Sequence, residues 1–313
     1  MTIKRGTVIN VLDHGYVKLI DYMGSDEAIV EAARMSTGKG FIGWDKTKTC
    51  QRCKIAFPVD QTVLGYTCTD NTEDHVWQEG PGDAKLLEFM YKNKHMTPFE
   101  FCELHIEVQA PIMVFREWHR HRTHSYSEFS ARYSQMANLH YLPEAERIQK
   151  QSKSNRQGGA EAFPADRAKE IREMLALEQL TVYTDYDKLC EEGVAKEVSR
   201  INTPVSRYSK MRDKTDLRNF LAFLILRKQS AHSNPQWEIA QYADVISEII
   251  QALWPRTYYL FEEYDLFGVH LSRTEAAYLR EALNRQRDTV TTMNDPNANP
   301  ALKTIGPKFG LVF

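Results

Sequence analysis

The chain has 313 residues, of which 42% are apolar and 26% are charged, so it can bury a substantial core and is not of the disordered class. Its net charge of −2 provides no general basic field for nucleic acid or membranes, and any anion site must be a local concentration of positive charge. We expect no signal peptide, no membrane span and no disulfide framework, because the apolar runs are short and the five cysteines are scattered; the expected location is cytoplasmic.

The first predicted elements are a hairpin and a helix. Two short strands are expected at 7–11 and 16–21, because a turn separates them. A helix is expected from Ser25 to Ala33, since acidic residues in its first turn suit the helix dipole. The stretch 37–82 lacks helical periodicity and is rich in Gly, Thr, Asp and Cys, which predicts an irregular or small β insertion.

The middle of the chain carries both helix and strand signals. An apolar stripe predicts a helix at 83–94, and alternation at 104–108 predicts a half-buried strand. Pro111 is suited to begin the short helix that follows. The composition of 150–160 predicts a loop.

The C-terminal half is mainly helical by pattern. Helices are expected at 166–192, 195–201, 215–227, from Pro235 to Pro255, and at 272–283. The helix at 215–227 is nearly all apolar, so we expect it to be buried. No linker separates two self-sufficient cores, and the sequence therefore predicts one α+β domain at 1–285, carrying the insertion at about 37–82, with a C-terminal tail at 286–313.

Residues 115–134 carry the strongest functional signal. They contain four arginines and three histidines, and no lysine occurs between Lys94 and Lys150. An arginine cluster without lysines favours forked recognition of phosphate or carboxylate oxygens over a solvated basic face. Arginines that pair with acids of the fold, or of a neighbouring subunit, are the structural alternative.

The order of residues in this stretch resembles the signature of the flavin-dependent thymidylate synthases. That signature is Arg-His-Arg, two residues, Ser, one residue, Asn, two residues, Ser, one residue and Arg. It runs here from Arg120 to Arg132, and every fixed position matches except the asparagine, which is Ser127. Four other segments resemble further elements of the family in the same order: "HMTPFEF" at 95–101, "VSRI" at 198–201, "DLRNFLAFLILR" at 216–227 and "QWEIAQYA" at 236–243.

The resemblance implies reductive methylation of dUMP to dTMP without an enzyme nucleophile. Arg227 is the implied catalytic residue, because a guanidinium against N3 and O2 of uracil would stabilise negative charge on the ring and make C5 more nucleophilic. From the sequence alone, an arginine in a last helical turn could equally bind terminal carbonyls. The residues implied to bind dUMP are Glu117, Arg120, Glu128, Phe129, Ser130, Ala131, Arg132, Arg200 and Arg227.

The resemblance also implies FAD as cofactor, methylene-tetrahydrofolate as carbon donor and NADPH as reductant. The residues implied to bind flavin are Thr97, Arg120, His121, Arg122, Glu128, Asp216, Arg218 and His232, and His95 is implied to bind folate. The implied fold is an antiparallel sheet packed among helices. The implied assembly is a homotetramer with shared active sites, and we expect neither metal nor nucleic acid in the site.

Several departures from the family pattern leave other functions open. Ser127 replaces an asparagine, Asp216 stands where a flavin-binding asparagine is expected, and Glu117 stands where glutamine is common. A homologue that binds nucleotide and flavin with little turnover, and a relative acting on another uracil nucleotide or carbon donor, are two alternatives. A phosphate-reading RNA-binding module is a third, and it would show steeply salt-dependent binding without a chromophore.

The cysteines of the insertion leave three interpretations open: a zinc site, a redox pair formed by Cys50 and Cys53, and free cysteines. Cys50 and Cys53 have the spacing of a zinc knuckle, and Cys68 with His75 would complete a closed site. The long gap between Cys68 and His75 departs from that pattern and favours free cysteines in a small β excursion. The resemblance implies no role for this insertion.

Overall fold

The computed structural model describes residues 3–51, 56–58, 77–153, 157–230 and 233–286. The chain divides into two compact units, Met1–Phe267 and Gly268–Phe313. The first unit contains the sheet and its helices, and the described part of the second unit contains one helix. The domain boundary at residue 285 stays a prediction.

The described residues contain ten strands and nine α-helices. The strands are β1 (Val8–Val11), β2 (Gly15–Met23), β3 (Thr47–Cys50), β4 (Ala56–Pro58), β5 (Trp77–Gly80), β6 (Glu103–Pro111), β7 (Ser125–Glu128), β8 (Gln149–Gln151), β9 (Gly159–Ala162) and β10 (Tyr208–Asp216). The helices are α1 (Asp26–Arg34), α2 (Asp83–Lys92), α3 (Ile112–Trp118), α4 (Ala165–Glu191), α5 (Lys196–Ser199), α6 (Leu217–Arg227), α7 (Trp237–Leu253), α8 (Pro255–Phe261) and α9 (Arg273–Gln286). Among these described helices, none combines the length and apolarity that crossing a membrane requires.

The centre of the first unit is a five-stranded antiparallel sheet in the order β1-β2-β6-β10-β7. β6 and β10 pair along their full length, from Tyr208 opposite Pro111 to Asp216 opposite Glu103. β7 pairs with the other edge of β10, so the signature segment forms the edge strand. The predicted fold class, α+β with an antiparallel sheet packed among helices, is confirmed.

The core lies between one face of this sheet and the helices that cover it. It is formed by alternate residues of β6 and by the apolar faces of α6 and α7, including Leu104, Ile106, Val108, Phe220, Phe223, Leu224, Ile239, Ile246 and Ile250. Tyr242 of α7 donates its hydroxyl hydrogen to the carbonyl oxygen of Gln109 at 2.8 Å. Gly15 permits this close approach, because a Cβ at that position would lie 2.0 Å from the Tyr242 hydroxyl.

Most elements predicted from the pattern are present. The hairpin strands occupy 8–11 and 15–23, and Ser25 caps α1 by accepting the N–H of Ala28 at 3.3 Å. The predicted buried helix at 215–227 is α6, which begins two residues later and carries Arg227 at its end. Pro255 ends α7, as predicted, and begins α8.

Two features differ from the prediction. The loop predicted at 150–160 is wrong in part, because β8 and β9 pair as a two-stranded ladder there. The sequence pattern does not predict β10, because its inward positions include Asp213 and Thr215 instead of apolar residues. A strand with a buried carboxylate must provide that carboxylate with partners, and these partners belong to the site described below.

The described part of the insertion forms a small β structure. In its described part β3 pairs with β4 on one side and with β5 on the other. Cys50, at the end of β3, is buried. Cys53, Cys68 and His75 lie outside the described residues, so the proposed zinc site stays a prediction. Within the described ranges, no group of three or more His, Cys, Asp or Glu side chains could hold a metal ion.

Candidate active site

Arg227 is the centre of the first group of candidate site residues. Its side chain is only 14% exposed. Its Nε donates to Nε2 of His121 at 3.0 Å, Nη1 donates to Oε2 of Glu117 at 2.7 Å, and Nη2 donates to the Glu117 carbonyl oxygen at 3.0 Å. The fold therefore joins the end of α6 to the end of α3, and we call Arg227, Glu117 and His121 the Arg227 cluster.

The donor inventory of Arg227 leaves room for a ligand. A guanidinium has five N–H donors. Three of them are used by Glu117 and His121, and among the described residues no other group accepts from this side chain. One N–H on each terminal nitrogen stays available. Two parallel donors of this kind match two neighbouring acceptors of a planar ligand.

The environment of His121 fixes its protonation state. Burial, then the Arg227 charge and His124, lower the pKa of His121 from 6.5 to about 4. The ring is therefore neutral at pH 7. Because Nε2 accepts from Arg227, the proton of the neutral ring is assigned to Nδ1.

Hydrogen bonds connect the turn between α3 and β7 to the sheet. Asp213 of β10 is fully buried, accepts from Nε1 of Trp118 at 2.8 Å and lies 2.9 Å from Nδ1 of His124. The Tyr126 hydroxyl donates to the His121 carbonyl oxygen at 2.7 Å. These bonds hold both ends of the Arg-His-Arg turn, so the inward carboxylate of β10 positions the signature segment.

A second group of candidate residues lines a cavity of about 560 Å³, which we call the anion pocket. Its polar lining comes from α3, from β7 and from the segment that runs from α5 to β10, and comprises Arg116, His119, Glu128, Glu197, Thr203, Arg200 and Arg207. Glu128 accepts from the Ser209 hydroxyl at 2.8 Å. Within the described part of the chain, the side chains of Arg116 and Arg200 form no hydrogen bond or ion pair, which leaves their donors for an anion.

Arg132 lies at the rim of this pocket. Its side chain is 58% exposed, and its Nη2 is 3.0 Å from Oε2 of Glu197. Its backbone N–H donates to the Ser130 hydroxyl at 3.3 Å. Of the neighbouring residues, Phe129 is 40% exposed and Ala131 is buried. Of the residues expected at the nucleotide, Glu128 and Arg200 line this pocket, and Arg132 forms an exposed ion pair with Glu197 of the lining.

The residues expected at the flavin fall into two groups. Arg120 and Arg122 are exposed on the turn beside His121, and neither side chain has a partner among the residues described. The others lie near the start of α6. Arg218 forms an ion pair with Glu100, and Thr97 begins the short 3-10 helix that contains Glu100. Since α6 rises about 1.5 Å per residue, this group is about 14 Å from Arg227.

Three further predicted residues have their own surroundings. Asp216 caps α6, because its Oδ1 accepts the N–H of Asn219 at 2.9 Å and its Oδ2 accepts from the Asn219 side chain at 2.7 Å. The ring of His95 is exposed and lies 5.7 Å from that of Phe89. His232 lies outside the described residues.

Comparison with known proteins decides the family. The family model described as thymidylate synthase complementing protein, Thy1, matches residues 18–256. The chain belongs to the flavin-dependent thymidylate synthase family. It is 38% identical to the flavin-dependent thymidylate synthase of Wolbachia pipientis wMel over 284 residues, covering 91% of this chain and 86% of the relative. It is also 37% identical to the flavin-dependent thymidylate synthase of Treponema pallidum over 275 residues, covering 88% of this chain and 77% of that relative.

Solved structures agree with this assignment. The UMP/dUMP methylase PolB from Streptomyces cacaoi bound with 5-Br dUMP gives a TM-score of 0.62 at 27% identity, covering 82% of this chain and 98% of that chain. The same protein bound with 5-Br UMP gives a TM-score of 0.64 at 26% identity, covering 82% of this chain and 97% of that chain. The expected antiparallel fold and the recognition of the family from residues 120–132 are both confirmed.

The family's flavin dependence can be tested against the residues of this chain. A dinucleotide cofactor needs cationic donors for its phosphates and a neutral polar group beside its ring system. Arg120 and Arg122 provide guanidinium groups that have no partner among the described residues, and His121 between them is neutral at pH 7. The residues present therefore fit a bound flavin nucleotide.

Some site residues are not identified by the sequence pattern. Asp213 and Trp118 position the turn, and Arg116, Glu197 and Arg207 line the anion pocket. Arg116 lies in the arginine-rich stretch and could have been selected by charge. Asp213 has no signal of its own, because the sequence pattern does not predict the strand that carries it, and Arg207 shows no signal in the sequence either.

Proposed function

We propose that this chain methylates dUMP at C5 to give dTMP, with FAD as cofactor, methylene-tetrahydrofolate as carbon donor and NADPH as reductant. The observation that carries the proposal is the Arg227 cluster, where two N–H donors of a largely buried guanidinium stay available beside the signature turn. The named activity of the relatives and the uracil nucleotides bound by PolB support this choice of substrate.

Arg227 would act on the pyrimidine ring. Its two available N–H groups would bind O2 of uracil and, in the form of the ring that has lost the N3 proton, N3 as well. They would stabilise the negative charge there, so C5 becomes a better nucleophile. Glu117 and His121 fix the orientation of the guanidinium through three hydrogen bonds. Because these bonds exist before the ligand arrives, the donors need no reorganisation when charge develops.

The anion pocket would bind the nucleotide phosphate. Arg200 and Arg116 supply guanidinium groups inside it that have no partner among the residues described, and Arg132 with Ser130 supplies donors at its rim. An ion pair as exposed as that between Arg132 and Glu197 contributes little to stability. Arg132 can therefore exchange Glu197 for a phosphate oxygen at small cost.

The flavin would lie along the Arg-His-Arg turn. When bound, reduced flavin supplies the hydride that completes the transferred methyl group. Arg120 and Arg122 would hold its phosphates, while Thr97, Arg218, Asp216 and Glu128 contribute further contacts and His95 contacts the folate. His232 is proposed as a flavin contact from the resemblance alone.

The environment of Cys102 argues against this cysteine as an enzyme nucleophile. Cys102 is fully buried, and its Sγ lies 3.6 Å from the carbonyl oxygen of Ser25. Burial raises the pKa of this thiol to about 12. It is therefore protonated at pH 7 and cannot attack C6 of uracil.

The assembly is proposed to be a homotetramer with shared sites. Met174, Leu177 and Leu180 form an apolar stripe on α4 and are 52%, 66% and 56% exposed. Arg218 lies about 14 Å along α6 from Arg227, which adjoins the turn that carries Arg120 and Arg122. Leu177→Asp should shift the sedimentation coefficient towards dimer or monomer; an unchanged coefficient would remove α4 from the interface.

An absorption spectrum of the purified protein, recorded before and after dUMP is added, tests the proposal. Flavin bands that shift with dUMP, but not with inorganic phosphate, are the expected result. A colourless protein that FAD cannot reconstitute, together with salt-dependent RNA binding, would favour the phosphate-reading RNA module. A yellow protein that produces no dTMP would favour the homologue with little turnover.

A further inference from the structure

Arg207 is a buried arginine that no carboxylate neutralises directly. It is 9% exposed and precedes β10. Its Nη1 donates to the carbonyl oxygen of Tyr208 at 3.3 Å, close to the outer limit for a hydrogen bond. Its Nε is buried and has no hydrogen-bond partner among the described residues, and no ion pair involves this side chain there.

Such an arrangement is unfavourable unless a ligand completes it. Burying a cation without a partner costs several kcal/mol, and each buried N–H without an acceptor adds to this cost. Burial lowers the pKa of Arg207, the charge of Glu128 opposes that shift, and the like charge of Arg200 adds to it. Arg207 thus has two charged neighbours, the Glu128 carboxylate, which already accepts from Ser209, and the Arg200 guanidinium.

Arg207 also lines the anion pocket, together with Arg116 and Arg200. Three guanidinium groups from separate parts of the chain face one cavity of about 560 Å³. The acids in the same lining are Glu128 and Glu197, and Glu197 is paired with Arg132. The pocket therefore has an excess of positive charge at the place where one buried donor needs an acceptor.

We propose that Arg207 is a further phosphate-binding arginine of this site, which binds the dianionic 5′-phosphate of the nucleotide and so sets the preference for a nucleoside monophosphate over a nucleoside. This inference rests on the proposed function. A ribose hydroxyl could accept from Nε but would leave the buried charge unbalanced, whereas a phosphate oxygen satisfies both the donor and the charge.

The test is the ratio of the dissociation constants for deoxyuridine and dUMP, measured by calorimetric titration of the flavin-loaded protein. In Arg207→Met the ratio should fall about tenfold to hundredfold, the loss expected when one charged hydrogen-bond donor is removed. The fall should come entirely from weaker dUMP binding. Arg5→Met is the matched control, because Arg5 is exposed and pairs with Asp21 away from the pocket; its ratio should equal that of the wild type.

Melting of the ligand-free variants separates binding from a structural role. If Arg207 served only the fold, Arg207→Met would lower the melting temperature. The proposal expects an unchanged or higher melting temperature without ligand and a smaller rise when dUMP is added. Arg207→Lys keeps the positive charge but loses the paired N–H donors of the guanidinium, so its ratio of dissociation constants should be intermediate. If Arg207→Met does not fold, this variant tests the role of Arg207.

The outcomes separate this inference from the function on which it rests. Wild-type protein that binds dUMP, with an unchanged ratio in Arg207→Met, would overturn the role of Arg207 and leave the function standing. An equal loss for dUMP and deoxyuridine would also overturn it. Wild-type protein that binds no dUMP at all would overturn the function and this inference together.

Discussion

Replacing Arg227 by alanine tests the proposed origin of catalysis. The variant removes three hydrogen bonds to Glu117 and His121 and the two N–H donors proposed to bind uracil. Loss of one pre-positioned donor to developing charge costs about 3–4 kcal/mol, which corresponds to a 10²- to 10³-fold fall in kcat. Flavin content should be unchanged, because Arg120 and Arg122 are not touched.

The assay is dTMP formation at saturating dUMP, methylene-tetrahydrofolate and NADPH, with flavin content measured on the same samples. Arg227→Lys keeps one positive charge but cannot contact Glu117, His121 and two ring acceptors together, so its kcat should also fall at least tenfold, or about 1.4 kcal/mol. Arg5→Ala removes an exposed, paired arginine and should retain full activity. Full activity of Arg227→Ala would refute the reasoning, and loss of flavin in the same variant would assign Arg227 to cofactor binding instead.

Two further predictions concern the turn that carries the signature. Asp213→Ala should lower the free energy of unfolding in urea by about 3 kcal/mol, because it leaves Nε1 of Trp118 and Nδ1 of His124 buried without an acceptor; a change below about 1 kcal/mol would show that water replaces the carboxylate. His121 should titrate by NMR with a midpoint near 4. Since this pKa lies below the ordinary 6.5, the unfolded chain binds more protons between these values, and His121 makes stability fall as the pH falls from 6.5 to about 4, with no further slope below that. A midpoint near 6.5 would contradict the burial of the ring beside Arg227.

The elements that could be predicted are those whose burial is visible in periodicity. α7 has apolar residues at helical spacing and ends before a proline, and α6 is apolar almost throughout. β10 is missed because most of its inward positions are polar, namely Ser209, Asp213 and Thr215. Its burial depends on Trp118 and His124, which are about 90 residues away in sequence. Periodicity carries no information about partners at that separation.

The candidate site also contains residues that the sequence identifies and residues that only the fold identifies. The order of residues from Arg120 to Arg132 is a local pattern, so the family could be recognised without a structure. Arg207 follows a turn and has no local signature, and its role becomes visible only when the fold places it in the cavity with Arg116 and Arg200. The ion pair between Arg132 and Glu197 likewise joins segments that only the fold brings together.

The central claim is that this chain converts dUMP to dTMP with flavin. The most direct measurement is chromatographic detection of dTMP after incubation of the flavin-loaded protein with dUMP, methylene-tetrahydrofolate and NADPH, with each component omitted in turn. Formation of dTMP that requires every component, and that fails in Arg227→Ala, is the predicted result. Absence of dTMP from a flavin-loaded protein whose spectrum responds to dUMP would contradict the claim and identify a binding protein with little turnover.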